Sequence, residues 1–324
     1  MNYIGSKNRL SNWIKEEIIK RVSIKNKIFC DLFAGTGIVG RVFKKDVKKV
    51  ISNDIEYYAY VLNRNYIQNH KNLKEKLEVI EYLNNLPLVD NGFIYRFYSK
   101  NSGRCYFSDL NAKKIDTIRI EIEKFRNDED LYFFLLASLI ESADKIANTA
   151  SVYGAFLKKL KKSAKKELFL EPAVYEENEN EHIVYNLDAN DLIKNIKGDI
   201  LYLDPPYNQR QYGANYHLLN TIAEYKPFIP KGKTGLREYY KSSWCKKSQI
   251  KTVFDDLIKN SDFKYIFLSY NNEGLMNKNE IKEIMSKYGK YELVETTYQR
   301  YKSDKKRDYK SGQTYEYLHV LRKF

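Results

Sequence analysis

Between Lys27 and Asp54 the chain runs through an apolar segment, a turn carrying Gly35, Gly37 and Gly40, a helical stretch and a second apolar segment. The pattern predicts a strand over Lys27–Phe33, a helix over Gly37–Lys45, a strand over Lys49–Asp54 and a helix over Glu56–Gln68. Strand, glycine turn, helix, strand is a βαβ unit. Its crossover joins parallel strands, which need helices on their faces, so it commits the chain to an α/β fold.

The same rhythm precedes and follows. Leu10–Arg21 has helical apolar spacing through Leu10, Trp13, Ile14 and Ile18. Strands are expected at Ile183–Leu187, Asp199–Leu203 and Tyr265–Tyr270, with helices at Ser248–Asn260 and Asn277–Tyr288. Two β-rich segments, Tyr291–Tyr301 and Thr314–Leu321, close the chain around a basic loop. From about Asn69 to Asn180 strand signal is sparse, and Leu131–Ala147 reads as an apolar helix. The expected organisation is one domain over 1–68 and 182–324, interrupted by a mainly helical insertion over 69–181.

Composition narrows the class. The 324 residues carry 56 Lys+Arg against 42 Asp+Glu, a formal charge of +14. Such a surplus points to a polyanion, nucleic acid first and an anionic membrane surface second; a merely Lys-rich solvated surface is the bland alternative. Three scattered cysteines and four histidines form neither a disulfide framework nor a zinc site, so no metal is expected and a reducing compartment is. Met1–Leu10 lacks the apolar core of a signal peptide, and the densest apolar run, Phe133–Ile140, is too short to span a bilayer. A cytoplasmic protein is the expectation.

Two motifs carry chemistry. In Asp31-Leu32-Phe33-Ala34-Gly35-Thr36-Gly37, glycines let the backbone turn tightly at the start of a helix, and Asp54 ends the next strand where a carboxylate accepts from ribose hydroxyls. The turn alone fits a dinucleotide or an adenosyl-methionine. The second motif, Asp204-Pro205-Pro206-Tyr207, follows the strand Ile200–Leu203. Two prolines stiffen the loop and remove its N–H donors. It therefore presents a carboxylate, the Pro205 carbonyl and an aromatic face together, which suits a planar base with an exocyclic amine. Both amine hydrogens are accepted, Tyr207 stacks on the ring, and the amine lone pair is aimed at an electrophile.

With Asn2-Tyr3-Ile4-Gly5-Ser6-Lys7 at the N-terminus, these form an ordered trio that resembles the alpha-group (Dam-like) DNA N6-adenine methyltransferases, including the methylases of type II restriction-modification systems. The resemblance implies a Rossmann-like fold using S-adenosyl-L-methionine, with a mostly parallel sheet, an antiparallel C-terminal strand and a target-recognition insertion. It implies methylation of a flipped adenine in a short duplex sequence, a bacterial cytosol or nucleoid setting, and a cognate restriction endonuclease acting on the same site. Tyr3, Lys7, Asp31, Phe33, Gly35, Gly37 and Asp54 are then expected at the cofactor, with Lys7 near its methionine end. Asp188 and Ala189 are the candidates for its adenine, a helix N-cap being the alternative for Asp188.

DNA contacts are expected from Lys158, Lys161 and Lys162, from Arg210 and Tyr212 beyond the catalytic loop, and from Lys305 and Lys306 in the basic loop. Arg96, Lys100, Asn101 and Arg104 are expected base readers. His217 reads as structural. Three alternatives stay open: methyl transfer to RNA or a protein glutamine, a DNA-binding subunit without catalysis, and an NAD enzyme.

Overall fold

The computed structural model describes residues 6–299 and 313–324. Tyr3, Lys305 and Lys306 lie outside the described residues. Among the described residues seven strands form a single sheet: β1 (Ile28–Asp31), β2 (Lys49–Asn53), β3 (Ile183–Tyr185), β4 (Lys197–Leu203), β5 (Asp262–Asn271), β6 (Gly289–Gln299) and β7 (Gln313–Lys323). Their order is β3-β2-β1-β4-β5-β7-β6. The pairs from β3 to β5 are parallel, and β7 runs antiparallel to both β5 and β6. This is the expected mostly parallel sheet with an antiparallel C-terminal part.

The chain divides into two compact units. The sheet unit comprises Lys7–Ile55, Asn180–Gln211 and Tyr240–Phe324. Its strands are buried because helices cover them, as parallel strands require. One apolar layer joins Cys30, Leu32, Leu201, Leu203, Ile266 and Leu268 to Phe254, Leu257 and Ile258 of the helix Ile250–Asn260 and to Ile281 and Met285 of the helix Lys278–Ser286. The latter helix begins with a capping box: Asn277 accepts from its first turn while Glu280 accepts the Asn277 N–H.

Among the described residues the helical unit comprises Ser6, Glu56–Glu179 and Tyr212–Tyr239. The insertion expected from the sparse strand signal covers 69–181, a different division of the chain. The helix after β2, Tyr57–Asn63, contributes Tyr58, Val61 and Leu62 to this unit's core rather than to the sheet's. The helix His217–Glu224 does the same through Leu218, Leu219 and Ile222. At the centre lies Glu129–Ile146, whose buried residues occupy nearly every turn position, so it is enclosed on all sides. Among the described residues no helix is long and apolar enough to cross a membrane.

Candidate active site

β1 lies between β2 on one side and β4 on the other, so the strand order reverses there. Segments leaving neighbouring strands on either side of such a reversal diverge and open a crevice at the strands' carboxyl ends. Asp31 is in register with Tyr202, so both motifs expected from sequence emerge at this point, one from each strand. The Leu32 N–H donates to the Tyr202 carbonyl at 3.2 Å and extends the pairing to the edge of the crevice.

The glycine turn needs glycine at two positions. Gly35 and Gly37 have φ of 53° and 75°, in the left-handed region where a Cβ is strained. Gly37 caps the helix Ile38–Phe43. The turn is held by Asp54, whose Oδ2 accepts the Gly35 N–H at 2.8 Å. The Asp54 carboxylate thus supports the turn at which it was expected to bind ribose. Phe33 sets its ring edge on Trp244 at 4.9 Å.

Asp31 is 1% exposed. Its Oδ2 accepts the Gly40 N–H at 3.0 Å, but its Oδ1 has no hydrogen-bond partner among the described residues. Burial pushes this carboxyl up to about 8; the Gly40 N–H opposes the shift, while the negative charges of Asp204 and Asp54 add to it. A buried carboxyl oxygen without a donor is costly unless a ligand supplies one.

Asp204 sits beside a cation. Lys7 Nζ lies 3.1 Å from Asp204 Oδ1 and 2.8 Å from Glu316 Oε1. The same Glu316 oxygen accepts from Ser269 Oγ at 2.8 Å. The Lys7 ammonium also stands 5.6 Å from the centre of the Tyr207 ring. Burial raises the Asp204 carboxyl to about 6; Lys7 works against this and Glu316 adds to it. Tyr207 is fixed by its carbonyl, which accepts the Leu275 N–H at 3.0 Å, and by an edge contact with Tyr270 at 6.1 Å. Lys7, expected near the methionine end of a cofactor, has its ammonium placed at the Asp-Pro-Pro-Tyr loop.

Asp188 is the N-cap of the helix Ala189–Leu192, its Oδ1 accepting the Asn190 N–H at 2.8 Å. Its Oδ2 accepts from Tyr240 Oη at 2.6 Å. Ala189 is buried in the sheet unit's core. Asn186 closes the preceding turn by donating to the Asp54 and Ile55 carbonyls.

The residues expected at DNA fall into different environments. Lys158, Lys162 and Arg210 are exposed. Lys161 is half-buried and donates to the Thr149 carbonyl at 2.7 Å. Tyr212 stacks on Tyr216 at 6.1 Å. Arg104, expected to read bases, donates to the carbonyls of Phe97 and Gly232. His217 is a core residue: its Nε2 lies 3.1 Å from the Tyr153 carbonyl, and burial lowers it to about 4. Sequence reasoning missed Glu316, Ser269, Trp244 and Tyr240. Among the described residues no group of three or more His, Cys, Asp or Glu is arranged to hold a metal ion.

Comparison with known proteins agrees with this geometry. The family model for D12 class N6 adenine-specific DNA methyltransferases matches residues 3–284. The type II methyltransferase M.NlaIII of Neisseria lactamica is 60% identical over 100% of this chain and 99% of its own length. The type II methyltransferase M.CviAII of Paramecium bursaria Chlorella virus 1 is 41% identical over 94% of this chain and 93% of its own. The type II methyltransferase M.FokI of Planomicrobium okeanokoites is 40% identical over all of this chain but only 53% of its own length. With its glycine turn and its Asp-Pro-Pro-Tyr loop leaving adjacent strands, the chain belongs to the D12 class of N6 adenine-specific DNA methyltransferases.

Proposed function

We propose that this chain methylates the N6 amine of an adenine flipped out of a short duplex DNA sequence, as the modification enzyme of a restriction-modification system. The family and its fold use S-adenosylmethionine in general. The observation carrying the reading is the strand order at the β1–β4 reversal, which brings the glycine turn and the Asp-Pro-Pro-Tyr loop out side by side, with the Asp204 charge adding to the rise of the Asp31 carboxyl.

The residues there fit the cofactor. Gly35 and Gly37 lack the Cβ that would narrow the turn, and the unpartnered Asp31 Oδ1 calls for a buried donor, which the ammonium of a methionine moiety supplies. Phe33, Asp54, Asp188 and Ala189 complete the proposed cofactor set, with Tyr3 and Lys7 from the N-terminal motif. When bound, S-adenosylmethionine supplies a methyl group already activated on a sulfonium sulfur.

The protein's own part is orientation and charge. Asp204 and the Pro205 carbonyl accept the two amine hydrogens and draw N6 toward tetrahedral geometry. Pro206 keeps the loop stiff and Tyr207 stacks on the base. Positive charge grows on N6 as its lone pair engages carbon, and the Asp204 carboxylate stabilises it. The methyl–sulfur bond would break as the N6–carbon bond forms, leaving a neutral thioether, and the proton shed afterwards would pass to water, leaving N6 as a neutral secondary amine. Lys158, Lys161, Lys162, Arg210, Tyr212, Lys305 and Lys306 are proposed DNA contacts, the helical region 69–181 the target reader, and an endonuclease of the same specificity the partner.

Labelled-methyl uptake by duplex DNA, RNA and protein tests this. The expected result is label in DNA adenine alone. Asp204→Ala should lower that transfer by at least about 10³-fold while cofactor affinity stays within a few fold. Label in RNA or in a protein glutamine would replace the reading.

A further inference from the structure

At the antiparallel end of the sheet, Glu316 is a buried carboxylate on β7, 4% exposed, in the run Tyr315-Glu316-Tyr317-Leu318-His319. Neither β-propensity nor packing calls for an acid there. In register, Glu316 faces Asn271, and Leu318 faces Ser269. Ser269 is therefore a diagonal neighbour on the same face, and its hydroxyl holds Glu316 Oε1 at 2.8 Å. That same oxygen is the nearer partner of Lys7, at 2.8 Å against 3.1 Å for Asp204. The result is a chain of contacts from β5 through β7 and Lys7 to the catalytic loop.

We propose that Glu316 is a positioning residue for methyl transfer: it shares the Lys7 ammonium with Asp204 and gives this acceptor cluster one excess negative charge. This deepens the function proposed above and rests on it. An Asp204–Lys7 pair alone is neutral, and a lysine bonded only to Asp204 competes with the incoming amine for its lone pairs. With Glu316 taking the closer contact, Asp204 stays available as an acceptor. The two carboxylates and one ammonium sum to −1, which opposes the positive charge developing on N6.

Every charged or titratable group set against Asp204 enters this balance. Lys7 lowers its proton affinity and Glu316 raises it; Asp31 on β1, which burial keeps largely protonated at neutral pH, feels the Asp204 charge. Tyr202 of β4 and Tyr207 of the loop also face the cluster, and burial holds the Tyr202 phenol neutral, well above its ordinary range. Removing the Glu316 charge takes away a negative neighbour that raises Asp204, so the acid limb of the pH–rate profile should move to lower pH while the rate at neutral pH falls. A purely structural role predicts a fall with no such movement.

The test is Glu316→Gln, which keeps size and hydrogen-bonding capacity and removes the charge. The wild-type enzyme is first shown to methylate duplex DNA; failure there would end the functional reading, not this inference. For the variant, kcat should fall by about 10-fold or more with KM for DNA and cofactor affinity unchanged, and the acid limb should drop by about half a pH unit. A carboxyl-carbon NMR titration of Asp204 in the protein alone should drop likewise. If the variant does not fold, Ser269→Ala decides, because it loosens Glu316 without removing it and should shift both readouts the same way by less. An unchanged kcat, or a reduced kcat with the acid limb and the Asp204 titration unmoved, would overturn the inference.

Discussion

Asp116 and Asp31 are both buried carboxylates, one in the helical unit and one in the sheet unit, and their surroundings differ in one respect. Asp116 accepts the Ile94 and Tyr95 N–H groups at 2.8 Å each and the Tyr225 hydroxyl at 2.5 Å. It closes the first turn of the helix Phe93–Tyr98, and a Cβ on Gly92 would fall 2.2 Å from its Cγ. Nothing there is left to bind. Asp31 accepts one N–H and, among the described residues, keeps the other oxygen unpartnered, beside two more carboxylates. The helical unit spends its buried acid on holding a turn; the sheet unit leaves its acid incomplete where a ligand is expected. An unmet donor requirement, more than burial itself, separates a binding carboxylate from a structural one.

The largest effect that sharpens this contrast is on stability. Asp116→Ala strands two backbone donors and a hydroxyl in the interior, and should cost about 2–5 kcal/mol in denaturant unfolding while the activity of the folded fraction is retained. A loss of activity without loss of stability would erase the distinction.

Asp31→Asn should do the reverse, lowering cofactor affinity by about 10- to 100-fold with stability unchanged or improved at neutral pH. The pH dependence has a definite sign. Folding raises the Asp31 carboxyl from 3.8 to about 8, so between those values the folded chain keeps a proton that the unfolded chain releases. The Asp31 contribution therefore falls as pH rises through that window, and Asp31→Asn should flatten the slope. A cation bound at Asp31 favours its ionised form, so binding near pH 6–7 should release about one proton from the wild type and almost none from the variant. Calorimetry in buffers of different ionisation enthalpy reads this directly; equal release would remove Asp31 from the binding site.

The smallest effect concerns Asp188, which the structure uses as a helix cap. Tyr240→Phe removes the hydroxyl on its Oδ2 and leaves the cap intact. Cofactor affinity should change by less than about threefold, the scale of one partly exposed hydrogen bond. A larger loss would make Tyr240 part of the binding surface.

Much of this architecture was legible in the sequence, for a physical reason. Strand segments such as Ile28–Asp31 and the Ile200–Leu203 part of β4 are buried and read as largely apolar runs, and the glycine turn between β1 and its helix has few other uses. The two chemical motifs were legible because each is local. What stayed hidden is what long-range packing creates. Glu316 reads as an ordinary acid in a terminal β segment until β7 inserts beside β5 and brings it to Lys7 from the other end of the chain. Asp188 carries the same local pattern whether it binds or caps. Arg210 and Tyr212 read as DNA-facing residues beyond the Asp-Pro-Pro-Tyr loop; that Tyr212–Tyr239 joins the compact helical unit, held partly by Arg237 on Glu224 and Tyr98 on the Gly235 carbonyl, is created by packing.

The central claim is that Asp204 at the β1–β4 crevice directs methylation to adenine N6. Sequencing of host DNA for modified bases, in cells expressing either the wild-type chain or Asp204→Ala, tests it most directly. The account predicts N6-methyladenine at one short sequence with the wild type and none with the variant. The mark persisting in the variant, or appearing on cytosine instead, would contradict it.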